Sequence, residues 1–360
     1  MYFKEWPFHI IPERVPEIWA DRSQLYSEMS NLFADFSQNR KSLITCIWGY
    51  FGAGKSHTLL HFKSKLEKEG CLFVYSKMPK QVRCFLDLYS QAFANRLDVL
   101  RLSRTINENW KFLMKSHGED GAFEVVYNDI AESWLDFAQV TSIMGKATMT
   151  TRYLSDPLFL LCRSWLVGQR LGKREMRSLG ITKNIEDDQE AVRALGSLVR
   201  LLTFRKQKTT GFQQVIWALD DAQFLGTLKD LSRKVIQQGL RDAFDNCPLD
   251  LCIAMSFTSN DAEKAKSLLI EDLLSRMKGD PVHISELTTK EAIDFILDLI
   301  NNPRFGKGSS DKFYPYDQKS LTKIISLIHE IDQLTPRTIM KYFDAVTSLG
   351  QKAIYPEKIK

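Results

Sequence analysis

The chain has 360 residues, enough at about 150 per domain for one large domain or two modest ones. With 44% hydrophobic and 26% charged residues it is neither a disordered chain nor a small disulfide scaffold, and 49 Lys and Arg against 44 Asp and Glu leave a net charge of +5, too small to argue for a nucleic-acid partner without local clustering. No run reaches the roughly 18 apolar residues of a membrane span, the N-terminus carries charge and proline where a signal peptide is apolar, and the six cysteines, with no CxxC and no metal-ligand spacing, read as buried thiols in a reducing cytoplasm.

Residues 1–20 are rich in proline and aromatics (Trp6, Pro7, Phe8, Pro12, Pro16, Trp19), which predicts an extended arm packed on a core. Leu25, Met29, Leu32, Phe33 and Phe36 recur at helical spacing and predict a helix from Arg22 to Phe36. Ser42 to Trp48 is a continuous apolar run of strand length, followed by a glycine-rich turn and a helix from Lys55 to Glu69 that Gly70 stops. Cys71 to Tyr75 reads as a second buried strand, and strand–helix–strand with continuous apolar strands predicts a parallel α/β sheet. Residues 80–210 carry mainly helical periodicity, clearest in the stripe of Ala191, Leu195, Leu198 and Leu202. Strands resume at Val215–Leu219, ending in Asp220 and Asp221, and at Leu249–Phe257, ending in Thr258, Ser259 and Asn260. From residue 285 the pattern is all helix: a capping box at Thr288 and Glu291, a stripe of Leu321, Ile324, Ile325 and Ile328, and Thr335-Pro336 as N-cap and first residue of a last helix. The expected division is an arm over 1–20, an α/β core over 21–284 with a helical insertion at about 80–210, and a helical lid over 285–360.

Gly49-Tyr50-Phe51-Gly52-Ala53-Gly54-Lys55-Ser56 fits GxxxxGK(S/T) at every fixed position, between a predicted strand and a predicted helix. The glycines let backbone N–H groups wrap a phosphate, and the helix N-terminus adds partial positive charge. Lys55 would reach the β- and γ-phosphates of ATP, Ser56 would place its hydroxyl on Mg²⁺, and His57 follows in the same helical turn. Asp220, at the end of what is expected to be a neighbouring strand, fits the second Mg²⁺ position, and Asp221 fits the water-polarising carboxylate. A solvated acidic pair capping a strand is the alternative. Asp is one methylene shorter than Glu, so slow or partner-stimulated hydrolysis is expected.

With these motifs in order the chain resembles an AAA+ ATPase, in the branch of replication initiators, transposon regulators and STAND NTPases, over residues 20–345. The resemblance implies an α/β P-loop fold with a helical lid, and roles for further residues. Ala20-Asp21-Arg22 resembles the segment that abuts adenine, and Asn260, with Thr258 next, resembles sensor 1. Arg276, in Leu273-Leu274-Ser275-Arg276, resembles the arginine finger that reaches a neighbouring subunit's γ-phosphate, and Arg337 resembles the sensor 2 arginine. A surface salt bridge for Arg276 and for Arg337, and a turn role for Asn260, are the alternatives. Trp165 to Gln169 and Arg177 to Ile181 are similar to ATPases of BREX-type anti-phage islands. Few residues follow the last helix, where replication initiators usually carry a winged-helix domain, so an origin-binding protein is not expected.

Basic residues cluster at Arg152, Arg163, Arg170, Lys173, Arg174 and Arg177, and again at Arg200, Arg205, Lys206 and Lys208. These suit a double-stranded DNA phosphate backbone, or else a solvated face or an acidic protein partner. Glu186, Asp187, Asp188 and Glu190 lie between the clusters in sequence and are available to pair with them, and Trp110, Trp134 and Trp165 read as core residues. The expectation is a cytoplasmic AAA+ ATPase that binds ATP and Mg²⁺ between subunits of a homo-oligomer. It would act on DNA in phage defence or transposition, with a nuclease or transposase partner. The alternative is a STAND-like nucleotide switch that signals to a protein without contacting DNA.

Overall fold

The computed structural model describes residues 3–8, 18–20, 22–94, 156–203, 212–306 and 311–354, with isolated positions between 105 and 144. Expectations for Pro12, Pro16, Asp21, Trp110, Trp134, Arg152, Arg205, Lys206 and Lys208 concern positions outside the described residues.

Five strands, β1 (Leu43–Gly49), β2 (Leu72–Lys77), β3 (Val215–Asp220), β4 (Leu251–Thr258) and β5 (Val282–Ile284), form one parallel sheet in the order β2-β3-β4-β1-β5. The strands read as continuous apolar runs because both faces are covered. Along β3, Val215, Trp217 and Leu219 enter one buried layer while Ile216 and Ala218 enter the other. The second layer is closed by helices α1 (Ser23–Asn39) and α2 (Lys55–Lys68). Leu25, Met29, Phe33 and Phe36 are buried along α1, each worth about 1.5–3 kcal/mol of transfer free energy.

The first layer is closed by α3 (Phe85–Ala94), α4 (Pro157–Leu166), α5 (Lys173–Leu179), α6 (Asp188–Thr203) and, after β3, α7 (Asp230–Asn246). The described helices of the 80–210 stretch thus share one core with the strands: Trp217 lies edge-on to Phe85 and Phe93, with ring centroids 6.0 and 5.3 Å away. Helix α6 is buried on far more than one stripe, since it packs on both α3 and α7. Trp165 is a core residue and donates its Nε1–H to Lys183 O at 3.0 Å.

Beyond β4 come the short helices α8 (Ala262–Ser267) and α9 (Glu271–Leu274), then β5. Helices α10 (Thr289–Asn301), α11 (Gln318–Ile331) and α12 (Pro336–Ile354) then build a third apolar cluster. The capping box at Thr288 and Glu291 is formed in both directions, a feature worth about 1 kcal/mol. The arm residues Phe3, Phe8 and Ile18 are buried in this third cluster, not in the sheet core. Trp6 Nε1 donates to Asp344 Oδ1 at 2.7 Å, and Lys4 N–H donates to Phe305 O at 2.7 Å.

The structure corrects several sequence expectations. Strand β5 has only three residues, too short to show a period, and the sequence reading passes over it. Strand β4 starts at Leu251: Asp250 has φ 64, and Leu249 bridges antiparallel to Lys41 instead. Strand β4 also separates β3 from β1, so the acidic tip is not on the strand beside the glycine-rich loop. Lys183 pairs with Glu190, Asp187 Oδ1 accepts Glu190 N–H, and Asp188 Oδ1 accepts Leu86 N–H; these acids serve their own helix start and α3. Arg200 donates to Asn246 O at 2.7 Å and ties α6 to the end of α7. All six cysteines are free thiols, and burial pushes Cys162 and Cys247 up to about 12. No described helix is long and apolar enough to cross a membrane.

Candidate functional site

Strand β1 delivers the chain into a tight loop that turns directly into α2. Gly52 and Gly54 carry φ of +83° and +106°, in a region that side chains avoid. A Cβ at Gly54 would meet nothing within 4 Å, so only the backbone angle demands glycine there. At Gly52 a Cβ would stand 2.9 Å from both Arg337 Cβ and Thr335 Oγ1, so this glycine also lets the lid close on the loop. Arg337 N–H donates to Gly52 O at 3.4 Å, and its guanidinium lies over the Phe51 ring, 4.6 Å from the centroid. Phe51 is otherwise 70% exposed.

Lys55, the first residue of α2, is buried, and its Nζ donates to Gly49 O at 3.0 Å and Tyr50 O at 2.7 Å. Burial pushes its ammonium down to about 8, opposed by Asp220 and Asp221 and reinforced by Arg337. A positive group held in this state gains from an incoming anion. Ser56 and His57 follow in the first turn and line the same cavity, and His57 Nε2 makes a 2.7 Å contact with Ile18 O. Ala53 lies beneath the loop, its N–H donating to Tyr50 O at 3.2 Å.

The cavity has a volume of about 510 Å³. Its polar end is the loop, the start of α2, Asp221, Thr258, Lys77 and Arg337. Its apolar end is built by Ile18, Trp19 and Ala20 from the arm side and by Phe295, Leu299 and Met340 from the lid. A polar end beside an apolar one suits a phosphorylated ligand carrying a flat base. Arg22 also lines it; its Nη2 donates to Ser285 O at 2.7 Å, which ties the start of α1 to the chain past β5.

The acidic tip is held from two strands. Asp220 is buried: Tyr75 donates its hydroxyl to Oδ2 at 2.6 Å, and Ser256 donates to Oδ1. Asp221 turns with φ 58, gives its N–H to Ser256 Oγ at 3.1 Å, and lines the cavity. Hydroxyl and carboxylate oxygens are the donors Mg²⁺ takes, and that ion needs only one or two protein ligands beside phosphates and water. Ser56 lines the cavity, and the Asp220 carboxylate, outside the lining with both oxygens already accepting hydrogen bonds, fits such an ion held partly through water.

Among the expected site residues, Gly49, Tyr50 and Asp220 are outside the cavity lining, and two more stand elsewhere. Asn260 is exposed in the turn beyond β4, with Lys264 Nζ 3.5 Å from its Oδ1, while Thr258, at the strand end, lines the cavity. The chain bends away after Thr258, and Asn260 is outside the cavity lining. Arg276 is outside the cavity lining, with Nε 2.8 Å from Asp245 Oδ1 on α7 and Nη1 2.9 Å from Asp272 O. The sequence reading missed Tyr75, Lys77, Gln223 and Ser256. Tyr75, Lys77 and Ser256 are placed by strand register, which pairs Lys77 with Asp220 and Leu219 with Met255, and Gln223 by the 3-10 helix after Asp221.

The sheet order, the glycine loop between β1 and α2, and the helical lid define an α/β P-loop NTPase fold of the AAA+ arrangement. No family model matches the chain, and no curated protein matches it. Among solved structures it is similar to the Walker-type ATPase PABY2304 of Pyrococcus abyssi, at 14% identity over 98% of this chain and 79% of that one, with a TM-score of 0.44. It is also similar to the ORC2 protein of Aeropyrum pernix in ADPNP–ADP complexes, at 10% identity over 96% and 72%, TM-score 0.47. A third is the ORC1 protein of Aeropyrum pernix in complex with DNA, at 11% identity over 97% and 65%, TM-score 0.47. The fold class rests on the chain's own strand order and loop geometry.

Proposed function

We propose that the chain is an AAA+ ATPase that takes up ATP with Mg²⁺ in this cavity and hydrolyses it. The observation that carries the reading is the buried Lys55 ammonium, held by loop carbonyls at the positive end of α2 within electrostatic reach of Asp220 and Asp221. A triphosphate on the loop amides would take over that ammonium, with Arg337 beside it and the base at the apolar end. Mg²⁺, when bound, neutralises phosphate charge, and Ser56 and Asp220 would hold it. Water would attack the γ-phosphorus in line, passing a proton to Asp221, while the bond to the β-phosphate oxygen breaks and ADP leaves with that oxygen.

Assembly with copies of the chain would bring Arg276 to a neighbour's phosphate, releasing it from Asp245. Arg170, Lys173, Arg174 and Arg177, exposed around α5, suit the phosphates of duplex DNA. A role in phage defence or transposition rests on the sequence resemblance. The switch reading draws on a separate observation: both Asp220 oxygens already accept protein hydrogen bonds, which suits slow turnover and long-lived nucleotide states.

Phosphate release by the wild type and Asp221→Asn tests the reading. The expected result is measurable Mg²⁺-dependent turnover that falls about 10²-fold or more in the variant, with ATP uptake retained. Equal turnover by the two proteins contradicts it.

A further inference from the structure

Past the acidic tip the chain enters a 3-10 helix, Ala222–Thr227, whose second residue is the half-buried Gln223. Its Nε2 lies 3.1 Å from Asp221 Oδ1 and donates to it. Its Oε1 accepts the backbone N–H of Thr258 at 3.0 Å. A backbone N–H only donates, so the amide oxygen must face Thr258 and the amide nitrogen must face Asp221. Asp221 and Thr258 both line the cavity, from different strands, and Gln223 joins them from behind. Ser256 fixes the Asp221 main chain through its N–H, and the amide of Gln223 fixes the carboxylate. Oδ1 is thereby committed, while Oδ2 accepts no hydrogen bond from the described residues.

We infer that Gln223 is a positioning residue for the hydrolytic step: it locks the Asp221 carboxylate to the end of β4, so that Oδ2 is the oxygen offered to the attacking water. The inference rests on the ATPase reading. It also makes the tips of β3 and β4 one unit, so a nucleotide that displaces Thr258 must displace the Asp221 carboxylate with it. A side chain that merely capped β4 would need only an acceptor for the Thr258 N–H. Positioning needs the donor as well.

Two variants of the full chain separate these roles. Gln223→Ala removes both bonds. Gln223→Glu keeps the acceptor for Thr258, loses the donor, and sets a like charge beside Asp221. Both should lower kcat by about tenfold or more, the scale of a misplaced catalytic group, and leave the KM for ATP within about threefold. Thermal unfolding and ATP uptake near wild-type values would show that the variants fold. Wild-type kcat in Gln223→Glu overturns the inference, and so does a loss carried entirely by KM. A wild type that takes up ATP without turning it over also overturns it, since Asp221 then has no step to be positioned for. A wild type that takes up no ATP overturns the nucleotide reading itself.

Discussion

The two ends of the cavity are made in different ways. The phosphate end is one unbroken segment, Gly49 to His57, whose conformation follows from its own residues: a strand, glycines that accept positive φ, and a helix whose first residue is the lysine. The apolar end is assembled from three distant segments, namely the arm at Ile18–Ala20, Phe295 and Leu299 on α10, and Met340 on α12. The loop end is therefore set by local chemistry, while the apolar end exists only when the arm and lid are packed. Phe51 and Gly52 are where the two meet, through the Arg337 guanidinium and the Gly52 carbonyl.

Substitution at the two loop glycines breaks this comparison most directly. Gly52→Ala imposes both an unfavourable φ and a 2.9 Å clash with Arg337 and Thr335, so it should cost about 3 kcal/mol in denaturant unfolding. Gly54→Ala carries only the backbone strain, since a Cβ there meets open space, and should cost about 1–2 kcal/mol. Equal costs would mean that the lid does not bear on the loop.

A smaller effect concerns the phosphate end alone. In the free protein Lys55 loses its proton as pH rises through about 8, because burial disfavours its charge. A bound phosphate favours the charged form and raises that value. ATP affinity should therefore hold steady below pH 8 and decline above it, by up to about tenfold per pH unit, with up to one proton taken up on binding in that upper range only. Calorimetry in buffers of different ionisation enthalpy measures that proton. An affinity that climbs between pH 8 and 9 would contradict the assignment.

The same contrast explains what the sequence reveals. Strand β1, helix α2, the capping box at Thr288 and the Thr335-Pro336 helix start are legible because each depends on residues a few positions apart. The burial of Leu25, Met29, Phe33 and Phe36 follows from period alone. Strand β5 is not legible, because three residues show no period, and its place beside β1 is a matter of topology. The choice between Thr258 and Asn260 turns on where the chain bends after β4. Tyr75 and Ser256 reach the acidic tip only through the register of β2, β3 and β4, which pattern reading does not supply, while Gln223 reaches it through the 3-10 helix that follows Asp221, six residues with no period to read.

The most direct test of the central claim is equilibrium titration of the full chain with a fluorescent ATP analogue and Mg²⁺ at pH 7, beside Lys55→Ala. Saturable uptake by the wild type, weakened about 10- to 100-fold in the variant, is the expected result for one lost charge-assisted contact. No uptake by the wild type, or uptake indifferent to the loss of Lys55, would contradict the account.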